Sequence, residues 1–238
     1  MKILALESAT LTGSVALVDV GAQGGAPLHV EKTLDASLQH SEKLLPAVME
    51  IVGDRLSSID LFAVDIGPGS FTGLRVGVAL MKGLAFATGK PLVGVSSLEA
   101  LAMNAVGAQL IAPLHIVPML DAYRGEVYTA VYNVGAGFPR PGAVTAPLQQ
   151  IEPEQATPPE KWLKYLVGVV RERPLQFIGD GAVKYQDLIQ KIVGARFIAP
   201  VNDHQIHATN VAFLAKKTGA VDLPPLHELK PRYLRPGV

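Results

Sequence analysis

Short apolar runs alternate along the chain with longer segments in which apolar residues recur every three or four positions. The short runs predict buried strands, and the longer segments predict helices with at least one buried face. In the first half, this pattern predicts three strands followed by helix, strand, helix, strand and helix. These elements fall at residues 3–6, 13–20, 28–34, 41–52, 61–66, 72–88, 92–95 and 98–106.

The second half of the chain repeats this order. The predicted elements are strands at 116–121, 126–132 and 143–149, a proline-rich loop around 157–159, a helix at 162–170, a strand at 175–179, a helix at 185–193, a strand at 196–198 and a helix at 207–218. A repeat of this kind predicts two related α/β units with mixed sheets. We place them at residues 1–106, with the glycine turn and the interface helices, and at residues 107–238, with the C-terminal tail.

Two such units define a fold class of paired ribonuclease-H-like lobes, as in actin, Hsp70 chaperones and sugar kinases. In those proteins a nucleotide lies between the lobes, which raises the hypothesis of a nucleotide cleft here. Because one fold serves many functions, the analogy supports the fold and does not establish the ligand.

A glycine-rich turn joins the fourth predicted strand to the long helix that follows it. Gly67 and Gly69 permit close backbone approach, and Ser70 or Thr72 can cap the first helical turn. A helix that begins in this way suits an anion. The stretch nevertheless matches neither GxxxxGK[ST] nor GxGxxG. Anion binding and simple packing of the helix against the strand therefore both stay open.

The helix at residues 72–88 is apolar on nearly all sides, with Arg75 and Lys82 as its only charged residues. A helix of this kind is buried on more than one side. Gly73 and Gly77 lie one turn apart and leave a smooth groove, which is typical of close packing against a second helix. We predict that one face packs on the chain's own sheet and the other on a partner subunit. Burial beneath another helix of the same chain is the alternative.

Composition narrows the classes of function. The chain has 238 residues, of which 49% are hydrophobic and 18% charged, so it can fill a sizeable core. Lys plus Arg and Asp plus Glu number 21 each, and this neutral balance argues against a principal nucleic-acid binder. The absence of cysteine excludes disulfides, thiol nucleophiles and cysteine metal sites. We see no signal peptide and no apolar run of the roughly 18 residues that a membrane span needs, which predicts a cytoplasmic protein without membrane association.

Several stretches together resemble the TsaB (YeaZ) family, and the resemblance extends over most of the chain. They are residues 3–8 with 14–17, 40–46, 67–75, 119–128, 179–182 and 231–235. The glycine turn, extended to Leu74 and Arg75, is the most specific part. The family usually has Asp-Thr where this chain has Glu7-Ser8, and a second arginine is common where Tyr123 stands.

The resemblance implies an accessory role in tRNA modification. Members of the family serve the bacterial machinery that makes threonylcarbamoyladenosine at position 37 of tRNAs reading codons that begin with adenine. The implied partners are a TsaD-like catalytic paralogue, in a heterodimer, and a TsaE-like ATPase, with tRNA bound only within the complex. We also predict that the same helical surface forms a two-fold homodimer when the chain is alone.

The catalytic paralogue carries a His-x-x-x-His pair that can bind a metal ion, and the resemblance places Ser97 and Leu101 at the corresponding positions. Leucine cannot coordinate a metal, so we predict no metal site, no catalytic residue and a subunit that is not itself an enzyme. His204 and His207 do not rebuild the site, because no nearby carboxylate beyond Asp203 has ligand spacing. The motif GxSxG of serine hydrolases is also missing. The enzyme-class alternative is a nucleotide-binding protein with weak ATPase activity.

Two sets of residues are predicted to carry these functions. For the partner interface we select His40, Ser41, Leu44, Gly73, Arg75, Val76, Gly77, Leu80, Met81 and Leu84. For the candidate nucleotide cleft we select Glu7, Ser8, Thr12, Gly67, Gly69, Asp121, Arg124, Gly179 and Gly181. We predict no bound cofactor, with ATP or ADP and Mg²⁺ in the cleft or at the complex interface as the open alternative.

Arg124 has two interpretations. It lies in a predicted hairpin turn between the first two strands of the second unit, where it can contact a phosphate or tRNA. The more ordinary interpretation is a solvated turn in which Arg124 pairs with Glu126.

Overall fold

The computed structural model describes residues 1–21, 28–34, 40–106, 114–134, 148–170, 173–194, 197–198, 203–219 and 223–235. In chain order its elements are β1 (Lys2–Glu7), β2 (Ser14–Asp19), β3 (Leu28–Thr33), α1 (His40–Val52), β4 (Leu61–Asp65), α2 (Phe71–Thr88), β5 (Leu92–Val95), α3 (Ser97–Val106), β6 (His115–Asp121), β7 (Val127–Val134), β8 (Leu148–Thr157), α4 (Pro159–Val169), β9 (Leu175–Ile178), α5 (Asp180–Lys184), α6 (Gln186–Val193), β10 (Phe197–Ile198) and α7 (Ala208–Thr218). A 3₁₀ helix, Gly53–Ser58, follows α1. The predicted order of elements is confirmed in both halves, with α5 as an additional short helix.

The described residues form two compact units. The first comprises Met1–Ala100 and Ile206–Tyr233, and the second comprises Leu101–Gln205 and Leu234–Val238. The sequence pattern predicts a boundary at residue 106 and assigns the whole C-terminal part to the second unit. We correct this assignment, because α7 packs on β1, β2, β4 and β5 of the first sheet.

The sheet of the first unit has the strand order β3-β2-β1-β4-β5. β1 and β2, and β2 and β3, pair antiparallel, whereas β1 and β4, and β4 and β5, pair parallel. Leu6 of β1 pairs with Val64 of β4. Because these two strands are parallel and in register, the residues that end them, Glu7 and Asp65, lie side by side.

Helices cover both faces of the first sheet. Leu4 and Leu6 of β1 belong to a core that includes Leu44 of α1 and Met81 of α2. Side chains alternate along a strand, so Ile3 points to the opposite face, where α7 contacts β1. Burial on both faces explains why these strands are apolar almost without interruption.

The sheet of the second unit repeats the pattern, with the order β10-β9-β6-β7-β8. β7 pairs antiparallel with both β6 and β8, while β9 pairs parallel with both β6 and β10. The helices α4, α5 and α6 cover one face, and Trp162, Leu163 and Ile189 of these helices share a buried core with Phe177 of β9.

Two elements of the second unit differ from their predictions. The strand predicted at residues 143–149 is β8, which continues to Thr157, while residues 143–147 lie outside the described part of the chain. The polar stretch after residue 149 can remain a strand because, among the described strands, β8 pairs only with β7 and lies at an edge. Pro159 begins α4, with Pro158 before it as the N-cap residue, instead of forming a loop, since proline suits a first helical turn.

Candidate functional site

The glycine turn places the start of α2 against the residues that follow β1. The hydroxyl of Ser70 accepts the N–H of Gly73 at 3.2 Å, which confirms Ser70 as the helix cap. The N–H of Ser70 in turn donates to the carbonyl oxygen of Ala9 at 2.7 Å. A Cβ added to Gly69 would lie 2.5 Å from the Cβ of Ala9. This filled space favours the packing interpretation of the turn over an anion site.

Gly73 and Gly77 face their own chain. A Cβ on Gly73 would lie 2.1 Å from the carbonyl oxygen of Ser8, and a Cβ on Gly77 would lie 2.1 Å from Oγ of the same serine. Only glycine permits so close an approach of α2 to the end of β1. The groove that we predicted for a second helix is therefore filled by Ser8, and both glycines are removed from the candidate interface.

The other residues predicted for the interface divide by exposure. Leu44 and Met81 are buried in the first unit. Val76, Leu80 and Leu84 are half-buried, and Arg75 is exposed. His40 and Ser41 begin α1, but their side chains lie outside the described part of the structure. Burial of Leu44 and Met81 in this core leaves them no surface for a partner.

The outer sides of α1 and α2 carry exposed apolar residues that we did not predict for the interface. Leu45 and Met49 of α1 are 46% and 44% exposed, and Phe86 of α2 is 82% exposed. Ala79 and Gly83 of α2 are also exposed. We call these five residues the outer helical face. Helical spacing could have identified them, because each lies opposite a buried neighbour on the same helix.

The long apolar helix α2 also meets the length and composition of a membrane span. One third of its residues are buried in this structure, and core helices of soluble proteins satisfy the same criteria. The criterion alone is therefore weak evidence for a membrane.

Glu7 and Asp65 form a fully buried acid pair at the ends of β1 and β4. Asp65 accepts the N–H of Ser8 at 3.0 Å and the hydroxyl of Ser97 at 2.8 Å. Glu7 accepts the N–H and the hydroxyl of Thr10 at 2.8 and 3.0 Å. Burial, followed by the charge of Asp65, raises the pKa of Glu7 to about 8, and burial raises the pKa of Asp65 to about 6. Both shifts favour the protonated form of the two carboxyl groups.

This acid pair does not fit a Mg²⁺-nucleotide. Magnesium is bound through carboxylates that share it with water and substrate phosphates, whereas both acids are fully buried and their oxygens accept hydrogen bonds from Ser8, Ser97 and Thr10. The hydroxyl of Thr12 lies 3.4 Å from that of Thr10, which in turn binds Glu7. Across the described residues, no three His, Cys, Asp or Glu side chains come close enough together to hold a metal ion.

Ser97 and Leu101, at the two positions where the catalytic paralogue is expected to carry histidines, lie one turn apart on α3. Ser97 is buried and donates its hydroxyl to Asp65. Leu101 is fully buried and apolar. Neither side chain presents a nitrogen ligand, and the role of Ser97 in holding Asp65 was not anticipated from the sequence.

The C-terminal strap, residues 223–233, also packs on the first unit. Lys82 donates to its backbone oxygens, among them that of Leu229 at 3.2 Å. The Nε of Arg75 donates to the hydroxyl of Tyr233 at 3.0 Å.

The same strap fills the space beside Gly67 in the glycine turn. Gly67 has a φ of 108°, and a Cβ there would lie 2.7 Å from the carbonyl oxygen of Arg232. The N–H of Arg232 donates to the carbonyl oxygen of Ile66. Gly67, predicted for the candidate cleft, is therefore required for packing of the strap.

The remaining residues predicted for the cleft, Asp121, Arg124, Gly179 and Gly181, all lie in the second unit. Cβ atoms on Gly179 and Gly181 would lie 2.3 and 2.9 Å from the carbonyl oxygen of Met119, so both glycines are needed where α5 approaches β6. The N–H of Gly179 donates to Nδ1 of His204 at 3.1 Å. Burial lowers the pKa of His204, which favours the neutral imidazole that this bond requires.

The charged residues around Arg124 pair among themselves. Glu126 forms its ion pair with Arg235. Asp121 pairs with Lys184, with Oδ2 and Nζ 2.7 Å apart. Arg124 is exposed and pairs with none of the residues that the structure describes. The predicted Arg124–Glu126 pair is therefore wrong.

The two mixed sheets, each with two antiparallel and two parallel strand pairings, define a ribonuclease-H-like α/β protein, as predicted. A family model described as "TsaD: tRNA N6-adenosine threonylcarbamoyltransferase" matches residues 34–220. The chain belongs to the TsaB (YeaZ) family, because a relative named TsaB is 32% identical to it over nearly its whole length.

Individual relatives agree with this membership. The tRNA threonylcarbamoyladenosine biosynthesis protein TsaB of Bacillus subtilis is 32% identical over 99% of this chain and 94% of its own length. The protein of the same name from Escherichia coli is 36% identical over 56% of this chain and 55% of its own length. The solved structure of YeaZ from Pseudomonas aeruginosa superposes with a TM-score of 0.72 at 27% identity, covering 98% of this chain and 99% of that one.

Proposed function

We propose that this protein is a non-catalytic subunit of the machinery that makes threonylcarbamoyladenosine at position 37 of tRNAs reading codons that begin with adenine. The pathway is supported by relatives named for tRNA threonylcarbamoyladenosine biosynthesis. The proposal includes a heterodimer with a TsaD-like catalytic paralogue, a TsaE-like ATPase as further partner, tRNA bound within the complex, and a cytoplasmic location.

The observation that carries the proposal is the outer helical face. Leu45, Met49 and Phe86 expose apolar side chains on α1 and α2. Exposed apolar patches mark interaction sites, and burying them yields about 25 cal/mol per Å². Ala79 has a small side chain and Gly83 has none, which lets a second helix approach closely. Because the TsaD family model matches most of this chain, a TsaD-like protein has corresponding helices that can meet this face.

The non-catalytic part of the proposal rests on the acid pair and on α3. Ser97 and Leu101 offer no metal ligand where the paralogue is expected to have two histidines. Glu7 is fully buried and its carboxyl group is held by Thr10, so it is not presented to a substrate. The burial of Glu7 and its contact with Thr10 also weaken the ATPase alternative. Incubation of the purified chain with ATP and Mg²⁺ tests this alternative. ATP turnover that disappears in Glu7→Ala would support it.

Gly83→Trp tests the docking face. A Cβ on Gly83 meets nothing within 4 Å, so the new side chain lies in solvent when the chain is alone and obstructs a docked helix. Gly168→Trp is the matched control, because Gly168 is also helical and exposed and also has open space, but lies on α4 of the second unit. Gly77→Trp is unsuitable, since Ser8 already occupies that space.

The readout is size-exclusion chromatography of each variant with and without the catalytic paralogue. We expect wild type and Gly168→Trp to co-elute with the paralogue, and Gly83→Trp to elute alone with an unchanged circular dichroism spectrum. We also expect Gly83→Trp to abolish the homodimer of the isolated chain. Co-elution of Gly83→Trp with the paralogue at wild-type affinity would contradict docking through this face.

A further inference from the structure

The turn between β6 and β7 has an unusual backbone. Tyr123, Arg124 and Gly125 have φ values of 57°, 54° and 78°. For residues other than glycine this region costs of order 1 kcal/mol or more each, and it persists only where the surroundings hold it. The positive φ values of two consecutive residues other than glycine, Tyr123 and Arg124, therefore need an explanation.

Several contacts hold the turn in place. Oδ1 of Asp121 accepts the N–H of Tyr123 at 3.1 Å. The carbonyl oxygen of Tyr123 accepts the N–H of Glu126 at 3.1 Å and an Nη2 hydrogen of Arg235 at 3.1 Å. The guanidinium of Arg235 also binds the carboxylate of Glu126. A C-terminal residue thus fixes the backbone of this turn.

The turn presents two side chains that make no contribution to this framework. Tyr123 is 61% exposed, and Arg124 is exposed without a partner among the described residues. The neighbouring charges are neutralised in pairs, Asp121 by Lys184 and Glu126 by Arg235. The carboxylate of Asp180, also nearby, accepts the N–H groups of Asp121 and Gly181.

We propose that Tyr123 and Arg124 form a contact site for RNA, in which the ring of Tyr123 stacks on an unpaired base and the guanidinium of Arg124 binds the adjacent phosphate. Proteins recognise single-stranded RNA by this combination of aromatic stacking and cationic contact. A fixed backbone reduces the entropy lost on binding. The inference rests on the proposed function for the RNA itself, which is the tRNA substrate of the complex. A single exposed arginine is compatible with the neutral charge of the chain, because tRNA is bound only together with the other subunits.

Titration of labelled, unmodified tRNA against the full-length chain in complex with its catalytic paralogue tests this site. Arg124→Gln removes one charge from the turn. The matched control Lys161→Gln removes from α4 of the same unit one exposed charge that has no partner among the described residues. We expect Arg124→Gln to lower tRNA affinity roughly 5- to 10-fold and to reduce the slope of log K against log salt by about 0.7–0.9, while Lys161→Gln leaves both unchanged. We expect Tyr123→Ala to lower affinity roughly 5-fold or more and Tyr123→Phe to retain it, since stacking needs the ring and not the hydroxyl.

Three outcomes would overturn the proposal. In the first, Arg124→Gln and Tyr123→Ala bind tRNA as Lys161→Gln does. In the second, both variants weaken the complex with the paralogue when tRNA is absent, which would make the turn a protein contact. If wild type fails to bind the paralogue, the proposed function has failed. The titration is then repeated at low salt on the chain alone, where weak binding through phosphate contacts can be measured. Variants that bind tRNA as wild type does are the third overturning outcome.

Discussion

The carboxylate of Glu31 accepts the backbone N–H of Ala208 at 2.8 Å, across 177 residues of sequence. Its second oxygen accepts the hydroxyl of Thr209 at 2.7 Å, and His207 lies 3.3 Å away. Burial disfavours the charged form, but hydrogen bonds from His207 and Thr209 outweigh it and lower the pKa of Glu31. An ionised side chain of β3 therefore caps α7, which explains why the last helix belongs to the first unit.

Glu31→Ala should destabilise the first unit, because the N–H of Ala208 and the hydroxyl of Thr209 both lose this acceptor. Hydrogen bonds to a charged group contribute about 1.5–3 kcal/mol, and we expect a loss in that range from the free energy of unfolding in urea. Glu228→Ala, which removes an exposed carboxylate near His227, is the control and should change stability by less than about 0.5 kcal/mol. Equal effects of the two substitutions would show that Glu31 does not hold α7.

The acid pair predicts a stability that falls as pH rises. Between the ordinary pKa of 4.5 and the folded value of about 8, folded Glu7 keeps a proton that the unfolded chain has released. Folding therefore takes up a proton over this pH interval. Each unit by which the pH rises within it lowers the free energy of unfolding by up to about 1.4 kcal/mol. Asp65, raised from 3.8 to about 6, acts in the same direction at lower pH.

Glu7→Gln should flatten this dependence, because glutamine keeps the shape and the acceptor for Thr10 without a charge. We expect the variant to be more stable than wild type at pH 8 by about 1 kcal/mol or more, measured by urea unfolding at pH 5, 6, 7 and 8. Glu42→Gln, on the exposed side of α1, should leave the curve of wild type unchanged. If the free energies of unfolding of wild type and Glu7→Gln change with pH in parallel, folded Glu7 does not keep its proton.

Gly77 and Gly83 of α2 should respond to alanine with opposite signs. At Gly77 a Cβ would lie 2.1 Å from Oγ and 2.8 Å from Cβ of Ser8, so Ser8 must move, and we expect a loss of about 1–3 kcal/mol in the free energy of unfolding. At Gly83 the space is open, and alanine should raise stability by about 0.5–1 kcal/mol through its better helix propensity. Thermal and urea unfolding give both signs, and a stabilising Gly77→Ala would contradict the contact with Ser8.

The C-terminal strap depends on Lys82, which donates to the carbonyl oxygens of His227 and Leu229. Lys82→Met keeps the apolar stem and removes the donor, so we expect the unit to stay folded while residues 223–233 exchange their amide hydrogens faster. Hydrogen exchange followed by mass spectrometry measures this, with Lys90→Met, near the end of α2, as the control. Unchanged exchange in the strap would show that its apolar contacts, such as that of Leu229, hold it alone.

Local pattern predicted α2 and its cap well, because the apolar spacing and Ser70 are properties of neighbouring residues. It could not show which side of α2 carries the partner surface. A glycine pair indicates close approach, but only the parallel pairing of β1 with β4 reveals that Ser8 fills the groove. The contact of Lys82 with Leu229 spans 147 residues, so no local pattern contains it. The Arg235–Glu126 pair was missed for the same reason, and the nearer residue Arg124 was assigned to Glu126 instead.

Arg124→Gly separates the stability of the β6–β7 turn from its proposed use. Glycine adopts a φ of 54° without strain, so relief of the backbone should outweigh the greater freedom of the unfolded chain and raise the free energy of unfolding by up to about 1 kcal/mol. Lys161→Gly, in the helix α4, should instead lower it by about 1 kcal/mol, since glycine is a poor helix residue. Thermal unfolding of the two variants gives the comparison. If arginine is kept at this position for a contact and not for the fold, Arg124→Gly should make the protein more stable while the complex loses tRNA affinity. A destabilising Arg124→Gly would show instead that the arginine side chain supports the turn.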